Sequence, residues 1–487
     1  MNIKIPSVID SLIYDPVKGR VLYDLIISAF SNLLMFSFFV GFGKEQINNY
    51  IIPLSYTLLQ LLFNSAFGLY GKNRTSDLRI KLLIILVSNG LSYFLIAYKF
   101  SDYFLLTTLF SITTISTALP RFFLNFNVDR ITFSSNLSGK RGPILVVGGG
   151  GYIGSVLVEK LLQSGERVRV LDKFIYSKNV FKGMRNLKNL EVMEGDVSDI
   201  YALTMAVKDS SAIVHLAGIV GDPAAKIDEK LTRHVNIAST RLLKETSKAF
   251  GVRSFIFASS CSVYGYTSKI ADEKTKPRPV SLYAKTKVDS EKELISDRAD
   301  NFHPTILRFA TVFGHSRKPR FDLVTNLFVA EAFKKNIIKV NGGNQWRPLI
   351  HVRDVAEAII KVLNAEEKLV SREIFNVGDD RLNTRIIDLA QIVKKVINNP
   401  KIEIKALGDK KDLRDYKVSF NKIKNALGFR TNVTLQKGIS EIYKNFTSKK
   451  YKDNYLDPFY INFEITKELR KEFRSKRYKK SHFSTIS

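Results

Sequence analysis

The chain has 487 residues, which suffices for two or three domains, and its 75 Lys and Arg residues outnumber its 46 Asp and Glu residues to give a net charge of +29. Such a basic excess indicates an acidic partner: membrane lipid, a nucleotide or nucleic acid. We expect no nucleic acid, because the sequence has neither a zinc knuckle nor an RNP-like aromatic motif. The single cysteine, Cys261, excludes an intrachain disulfide, and the six histidines form no close metal-ligand pair, so we predict no metal site.

The first quarter of the chain contains four stretches almost without charge, at residues 21–42, 46–70, 82–98 and 103–119. Each approaches the ~20 residues that a helix needs to cross hydrocarbon. We therefore predict a transmembrane domain of four helices over residues 1–125 and a linker over residues 126–142. Buried helices of a soluble protein are the alternative. Basic residues precede the first stretch, lie between the second and the third, and follow the fourth. By the positive-inside rule, the domain that follows is therefore expected in the cytoplasm, at an inner or cytoplasmic membrane.

A strand, a glycine-rich turn and a helix are predicted next. The apolar run at residues 143–147 leads into GGGGYIGS at 148–155, in which Gly148, Gly151 and Gly154 form a GxxGxxG pattern. In dinucleotide-binding folds this pattern lets backbone N–H groups approach a pyrophosphate at a helix N-terminus. The second predicted strand ends at Asp172, eighteen residues after Gly154. An acid there accepts hydrogen bonds from the adenine ribose and repels a 2′-phosphate, so we predict NAD rather than NADP.

Strand-like and helix-like segments continue to alternate beyond Asp172. Further strands are predicted at residues 190–197, 212–218 and 254–260, with helical segments between them. This rhythm predicts an α/β fold with a doubly wound parallel sheet.

Three residues form a candidate catalytic group. Ser260 follows a predicted strand, and Tyr283 and Lys287 are four residues apart, which places them on one face of a helix. A neighbouring ammonium lowers the pKa of a tyrosine, which can then act as a general base on a sugar hydroxyl. A surface helix with solvated lysines is the alternative interpretation of the pair.

These motifs resemble the extended short-chain dehydrogenase/reductase family, especially its UDP-glucose 4-epimerase group, over roughly residues 143–443. GDV at 195–197, HLAG at 215–218, SSCSVYG at 259–265 and YAKTK at 283–287 carry the resemblance together with the glycine pattern. It implies a Rossmann domain and a smaller substrate domain over about residues 310–443. The implied NAD-binding residues are Gly148, Gly151, Tyr152, Ile153, Gly154, Asp172, Asp196, Val197, Leu216, Ala217, Gly218, Asn236, Tyr283 and Lys287.

The resemblance also implies substrate contacts. Ser260 and Thr311 would face the sugar, and Asn326, Arg347 and Arg414 would face the nucleotide diphosphate, whose oxygens suit a guanidinium. Either arginine could instead lie on the surface.

Two departures from the family pattern bear on the chemistry. Thr311 stands where 4-epimerases usually have asparagine, and Cys261 and Ser262 stand where related 4,6-dehydratases have Asp-Glu. Elimination of water needs an acid for the leaving hydroxyl, so the sequence argues against dehydration. Four spans before such a domain resemble the membrane-bound polysaccharide-biosynthesis dehydratases, but those have methionine where this chain keeps Tyr283.

Residues 444–487 are rich in Lys and Arg and are predicted to form a basic tail, either solvated and partly disordered or bound to anionic lipid. The whole pattern predicts a membrane-anchored, NAD-dependent nucleotide-sugar 4-epimerase, dimeric through its catalytic domain, that supplies polysaccharide or glycolipid synthesis. A nucleotide-sugar dehydrogenase or 4-ketoreductase and a non-catalytic NAD-binding membrane scaffold are the alternatives.

Overall fold

The computed structural model describes residues 51–66, 78–97, 142–175, 179–408 and 414–482, and five residues between 110 and 118. Residues 137–476 form one compact unit, and the helices that precede residue 136 belong to another. The predicted span at 21–42, most of the span at 103–119 and the linker at 126–142, apart from Gly142, lie outside the described residues.

The N-terminal unit contains helices α1 (Ile51–Ala66) and α2 (Leu78–Ala97), which overlap the second and third predicted spans. Within the described ranges, no helix combines the length and the apolar character that a membrane crossing needs. The prediction of four spans is therefore not supported there: α1 has 16 residues, fewer than the ~20 required, and α2 begins with Arg79 and Lys81 in its first turn.

Helices α1 and α2 bury polar side chains and expose apolar ones. The hydroxyl of Tyr56 donates to the backbone oxygen of Asn89 at 3.2 Å, which joins the two helices. The buried polar side chains are Thr57, Gln60, Asn64, Ser88, Asn89 and Ser92, and the exposed apolar ones are Leu58, Leu62, Leu83, Leu86, Val87 and Leu91.

The second unit begins with strands that are mostly separated by helices. The strands are β1 (Ile144–Val147), β2 (Val168–Asp172), β3 (Leu190–Glu194), β4 (Ala212–His215), β5 (Ser254–Ser260) and β6 (His303–Phe309). The helices among them are α3 (Tyr152–Gln163), α4 (Ile200–Val207), α5 (Asp222–Ala225), α6 (Glu229–Arg233), α7 (Ser239–Ala249) and α8 (Leu282–Ile295).

The later part of this unit mixes short strands with longer helices. Its strands are β7 (Thr311–Phe313), β8 (Ile337–Asn341), β9 (Trp346–His351), β10 (Ile374–Val377), β11 (Asn383–Arg385) and β12 (Glu403–Leu407). Its helices are α9 (Val324–Lys335), α10 (Val352–Leu363), α11 (Glu367–Val370), α12 (Ile386–Ile397), α13 (Asn421–Leu427), α14 (Leu435–Thr447) and α15 (Asn462–His482), of which α15 extends six residues beyond the unit's last residue, 476.

Seven parallel strands form the main sheet in the order β10-β6-β5-β4-β1-β2-β3. The predicted doubly wound parallel sheet is confirmed. Chain order reverses between β1 and β4, which creates a crevice at their carboxyl ends where such folds bind ligands. Two small sheets, β11-β9-β7 and β12-β8, belong to the part that follows β6.

Strand β1 is buried on both faces of the sheet. Ile144 and Val146 pack into one hydrophobic cluster, whereas Leu145 and Val147 pack into another. Successive side chains of a strand point to opposite faces, so a continuous apolar run indicates burial on both sides.

The predicted basic tail is largely a folded part of the second unit. Helix α14 continues to Thr447, and Tyr451, Tyr455 and Tyr460 are buried in the cluster of the substrate domain. The ring of Phe321 lies 5.1 Å from that of Tyr451 and 4.9 Å from that of Tyr460. The prediction of a solvated tail from residue 444 is therefore wrong for these residues, because the aromatic side chains among the lysines complete an apolar core.

Candidate active site

The glycine turn between β1 and α3 lies at the crevice and fits a pyrophosphate. Gly148 has φ +84°, and a Cβ there would lie 2.6 Å from the nitrogen of Ala217 at the end of β4. A Cβ on Gly154 would collide with the backbone of Gly148. Only glycine permits this turn and the close approach of α3, whose N-terminus begins after Gly151. The cradle is thus shaped for the phosphates of a dinucleotide, as the sequence predicts.

Asp172 ends β2 beside this turn. Its carboxylate accepts hydrogen bonds from the backbone nitrogens of Gly150 at 2.9 Å and Phe174 at 2.7 Å. Burial raises the pKa of Asp172, and these hydrogen bonds counter that effect. The carboxylate is therefore held at the place where an adenine ribose would follow the pyrophosphate.

Asp196 lies one strand further along the sheet. It accepts from the Ser198 nitrogen at 2.9 Å and from the Lys173 ammonium at 3.3 Å. Although burial raises the pKa of Asp196, these partners outweigh burial and lower it. Lys173 is thus drawn towards Asp196, while the neighbouring Val197 is buried in the core.

Asn236 fixes the loop that follows β4. Its side chain accepts from the Ile219 nitrogen at 2.8 Å and donates to the Ile219 oxygen at 3.0 Å and the Thr286 hydroxyl at 3.0 Å. It lies in a π-helical turn, His234–Ala238, a distortion frequent at functional sites. Asn236 therefore joins the loop of Gly218 to α8, the helix of Tyr283 and Lys287.

The predicted catalytic residues come together at the ends of β5 and α8. Lys287 is buried, and its Nζ donates to the Ala258 oxygen at 2.7 Å and lies 5.9 Å from the centre of the Tyr283 ring. A hydrogen bond with Ser260 lowers the pKa of Tyr283. An ammonium at the distance of Lys287 acts in the same direction by its charge. The arrangement is not a surface helix with solvated lysines, since Tyr283 and Lys287 are both buried.

The cation that acts most strongly on Tyr283 is Arg320, whereas the sequence predicts that the neighbouring lysine lowers the pKa of this tyrosine. Burial raises the pKa of Tyr283, and the guanidinium of Arg320 is the main group that opposes this rise. Burial also lowers the pKa of Lys287 to about 8, against the opposing charge of Glu291. Arg320 donates to a carboxylate oxygen of Asp322 at 2.8 Å. Arg320 follows β7 and belongs to no motif by which the sequence could have identified it.

A cavity of about 470 Å³ lies between the main sheet and the substrate domain. Its wall contains Ser260 and Tyr283, and also Thr311. The cavity wall also includes Lys339, Asn341, Gln345, Arg347, Arg414 and Asp222.

Two arginines in this wall meet each other and an acid. Arg347 donates to the backbone oxygen of Arg414, and the Arg414 guanidinium lies 2.8 Å from a carboxylate oxygen of Asp222. The Arg347 guanidinium also lies 5.4 Å from the centre of the Tyr416 ring. Both arginines therefore face the cavity, as the resemblance implies, and neither is a simple surface residue.

The described site thus combines a dinucleotide cradle, a Ser-Tyr-Lys group and three guanidinium groups, those of Arg320, Arg347 and Arg414, that line one cavity. Residues 144–378 match the model of the NAD dependent epimerase/dehydratase family. These residues form an NAD dependent epimerase/dehydratase domain.

Known proteins agree with this assignment. This chain is 26% identical over 307 residues to a putative UDP-glucose 4-epimerase of Methanocaldococcus jannaschii, and the match covers 61% of this chain and 96% of that protein. UDP-glucuronic acid decarboxylase 4 of Arabidopsis thaliana is 28% identical over 326 residues, covering 64% of this chain and 70% of the relative. A crystal structure of UDP-glucose 4-epimerase from Thermotoga maritima with UDP-glucose has a TM-score of 0.57 and 26% identity, covering 63% of this chain and 100% of that one.

Asn326 is not among the residues that line the cavity. Its oxygen accepts from the Gly314 nitrogen at 3.0 Å, and its nitrogen donates to the Arg320 oxygen at 2.8 Å and the Tyr152 hydroxyl at 3.3 Å. Tyr152 in turn donates to the Gly314 oxygen at 2.8 Å. In this structure Asn326 and Tyr152 hold the loop that carries Arg320, which differs from the direct diphosphate contact expected of Asn326.

A buried ion pair between Arg308 and Glu291 lies close to the catalytic residues. Arg308 on β6 donates to both carboxylate oxygens of Glu291, at 3.0 and 2.6 Å. Glu291 lies one turn after Lys287 on α8 and also accepts from Ser259, the neighbour of Ser260. Cys261 is buried and donates to the Arg308 oxygen at 3.2 Å, and burial raises the pKa of its thiol. The cysteine is therefore a structural residue and not a nucleophile.

Proposed function

We propose that this chain is a nucleotide-sugar 4-epimerase that acts by transient oxidation at C4, with a UDP-sugar as substrate. One observation carries the proposal: Tyr283 is hydrogen-bonded to Ser260 and lies near buried Lys287, at the wall of a cavity that three arginines also line. The M. jannaschii and T. maritima relatives are both named UDP-glucose 4-epimerases, the former as putative, which supports the choice of reaction and of uridine as the base.

In the proposed reaction Tyr283 removes the proton of the C4 hydroxyl while hydride leaves the same carbon. Ser260 orients that hydroxyl and bonds the carbonyl oxygen that forms. Lys287 stabilises the tyrosinate by its charge, at a ring distance of 5.9 Å. When bound, NAD supplies a reversible acceptor for the hydride and is not consumed overall. Tyr283 returns the proton after the 4-keto sugar has turned its other face to the site.

The nucleotide end of the substrate is assigned to the arginines. Arg347 and Arg414 are the groups suited to the diphosphate, because a planar guanidinium can bind two phosphate oxygens at once. Asp222 holds Arg414 at 2.8 Å, so the charge is fixed before a substrate arrives. Arg347→Lys is expected to raise KM by about tenfold with a smaller effect on kcat, since it removes the fork and keeps the charge.

The carboxylates of the cavity do not favour dehydration. The cavity wall, as far as the structure describes it, contains the acids Asp222 and Asp322, and each is paired with an arginine. Ser262 and Cys261 occupy the positions after Ser260, and neither can protonate a leaving hydroxyl at neutral pH. A general acid for loss of water is therefore not provided at the position where the related dehydratases carry it.

The test is to incubate the purified full chain with UDP-, GDP- and dTDP-sugars without added cofactor and to follow them by NMR. A 4-epimerase interconverts two sugars that differ at C4, produces no net NADH and retains deuterium placed at C4. Tyr283→Phe should abolish turnover while NAD remains bound. Turnover unchanged in Tyr283→Phe would refute the mechanism.

The other outcomes identify the alternatives. Loss of C4 deuterium to added cofactor would indicate a dehydrogenase or 4-ketoreductase. Release of carbon dioxide from UDP-glucuronate would indicate a decarboxylase, as the A. thaliana relative is named. NAD binding with no turnover of any nucleotide sugar would indicate the non-catalytic scaffold.

We also propose that the N-terminal helices associate with the membrane, which would place the enzyme where polysaccharide or glycolipid precursors are used. The polarity of α1 and α2 supports this: Gln60 and Asn89 are buried, whereas Leu58, Leu62 and Leu86 are between 50% and 60% exposed. In water the apolar face would be expected inside, so the exposed leucines favour an apolar surrounding. Full-length protein should stay with membranes during an alkaline carbonate wash, and its release into the supernatant would contradict this placement. Light scattering of detergent-purified protein would test the predicted dimer.

A further inference from the structure

The beginning of helix α15 is part of the active-site wall. This helix lies outside the family match at 144–378, yet Phe463, its second residue, lines the catalytic cavity. The preceding residue, Asn462, is buried and accepts a hydrogen bond from the ammonium of Lys318 at 3.1 Å. Lys467, one turn later, places its ammonium 4.5 Å from the centre of the Phe463 ring. The Phe463 ring therefore lines the cavity and also contacts the Lys467 side chain of its own helix.

Two further turns of α15 attach it to the loop region after β4. Leu469 and Phe473 pack against the cluster of Ile219, Ala224 and Leu231. The Arg474 guanidinium lies 3.4 Å from a carboxylate oxygen of Asp228, the residue that caps α6. Apolar packing and charge therefore both fix this helix to the segment 219–231.

The segment that α15 contacts carries a residue of the substrate site. Asp222, which binds Arg414 at 2.8 Å, lies between Ile219 and Ala224, and all of the residues 220–224 line the cavity. Gly221 is also near the guanidinium of Arg320, which would lie 3.8 Å from a Cβ at that position. Helix α15 therefore packs against the segment that contacts two arginines of the cavity, Arg320 and Arg414.

The residues next to Phe463 connect it to Arg320 and through Arg320 to Tyr283. Asn462, the neighbour of Phe463, holds Lys318, and the charges of Lys318 and Arg320 affect each other. Arg320 is the cation that acts most strongly on Tyr283. The residues suited to the nucleotide, Arg347 among them, belong instead to the strands β8 and β9.

We propose that Phe463 is a specificity-determining residue that contacts the sugar of the nucleotide sugar, and that α15 is a permanent wall of the site which holds it there. This inference rests on the proposed function for the identity of the ligand. The apolar ring covers one face of the sugar end, while the guanidinium groups bind the nucleotide end. Removing the ring should therefore weaken binding of the sugar and leave binding of the nucleotide unchanged.

The test compares UDP-glucose with UDP on the full chain by titration calorimetry. Phe463→Ala should weaken UDP-glucose about tenfold, as expected for loss of an aromatic contact, and change the Kd of UDP less than about twofold. Phe463→Leu should have a smaller effect of the same pattern. The matched control is Lys471→Ala, which changes an exposed residue of the same helix and should leave both affinities unaltered.

Equal weakening of UDP and UDP-glucose, or an unchanged UDP-glucose affinity in Phe463→Ala, would overturn the inference. If Phe463→Ala does not fold, as judged by its melting curve, the conservative Phe463→Leu decides by the same comparison. Wild-type protein that binds UDP-glucose without converting any nucleotide sugar contradicts the proposed function alone. Wild-type protein that binds neither ligand contradicts both.

Discussion

Replacing Lys287 with methionine tests the electrostatic part of the mechanism. The ammonium lies 5.9 Å from the centre of the Tyr283 ring. At an effective dielectric constant of about 20, two unit charges ~6 Å apart attract each other by about 3 kcal/mol. Methionine keeps the length of the side chain but loses this attraction, so Lys287→Met should lower kcat/KM on the order of 100-fold.

The pH dependence gives a second, independent signature of the same change. Burial lowers the pKa of Lys287 to about 8, so the ammonium is present below that pH and lost above it. Wild-type kcat/KM should therefore decline above about pH 8, and Lys287→Met should lack that alkaline decline. The assay is the rate of interconversion of the two 4-epimers between pH 5.5 and about pH 10, a window that brackets the lowered lysine pKa.

The stability of the variant separates this effect from misfolding. A lysine with a lowered pKa contributes stability that is complete above the ordinary lysine pKa and is lost as the pH falls through about 8. At pH 7 the buried ammonium therefore weakens the fold, and Lys287→Met should melt no lower than wild type. Lys285→Met, on the exposed face of the same helix, is the control and should keep full activity. A Lys287→Met enzyme with more than half of wild-type kcat/KM would refute the electrostatic role.

Three further predictions concern the cofactor, the core and acid stability. Asp172→Asn should weaken NAD about tenfold and reduce the preference over NADP, measured by titrating both into the full chain. Arg308→Met should lower the free energy of unfolding in urea by about 3–5 kcal/mol because it leaves Glu291 buried without its partner, and an unaffected transition midpoint would disprove that role. Burial lowers the pKa of His215 to about 3, so its contribution to stability is complete above pH ~6.5 and is lost towards pH 3. His215→Asn should shift acid unfolding to lower pH, and identical acid transitions would contradict this.

The cofactor half was predictable because its signals are local. The turn needs glycine at Gly148 for its positive φ and at Gly154 for close packing of α3, so the sequence pattern and the geometry have one cause. Asp172 ends a strand whose apolar run is visible in the sequence, and Tyr283 and Lys287 share a helix face by spacing alone. Short-range constraints of this kind can be recognised without a tertiary structure.

The substrate half was less predictable because its residues meet across long separations. Arg320 acts on Tyr283 although no motif marks it, and Asn326 supports the loop of Arg320 instead of facing the cavity. Phe463 reaches the same cavity from a helix that composition alone indicated to be part of a basic tail, either solvated or bound to anionic lipid. Net charge describes what a segment can attract, but it does not show whether the aromatic residues between the charges pack onto a core.

The parallel α/β sheet, the dinucleotide cradle and the group of Ser260, Tyr283 and Lys287 could be predicted from the sequence, because each depends on spacing along one turn, strand or helix. Only the tertiary structure decided which charges surround Tyr283 and which segments close the cavity. Those properties depend on contacts such as Asp222 with Arg414 and Asn462 with Lys318, whose partners are more than a hundred residues apart. Their energies follow from burial, and burial exists only once the chain has folded.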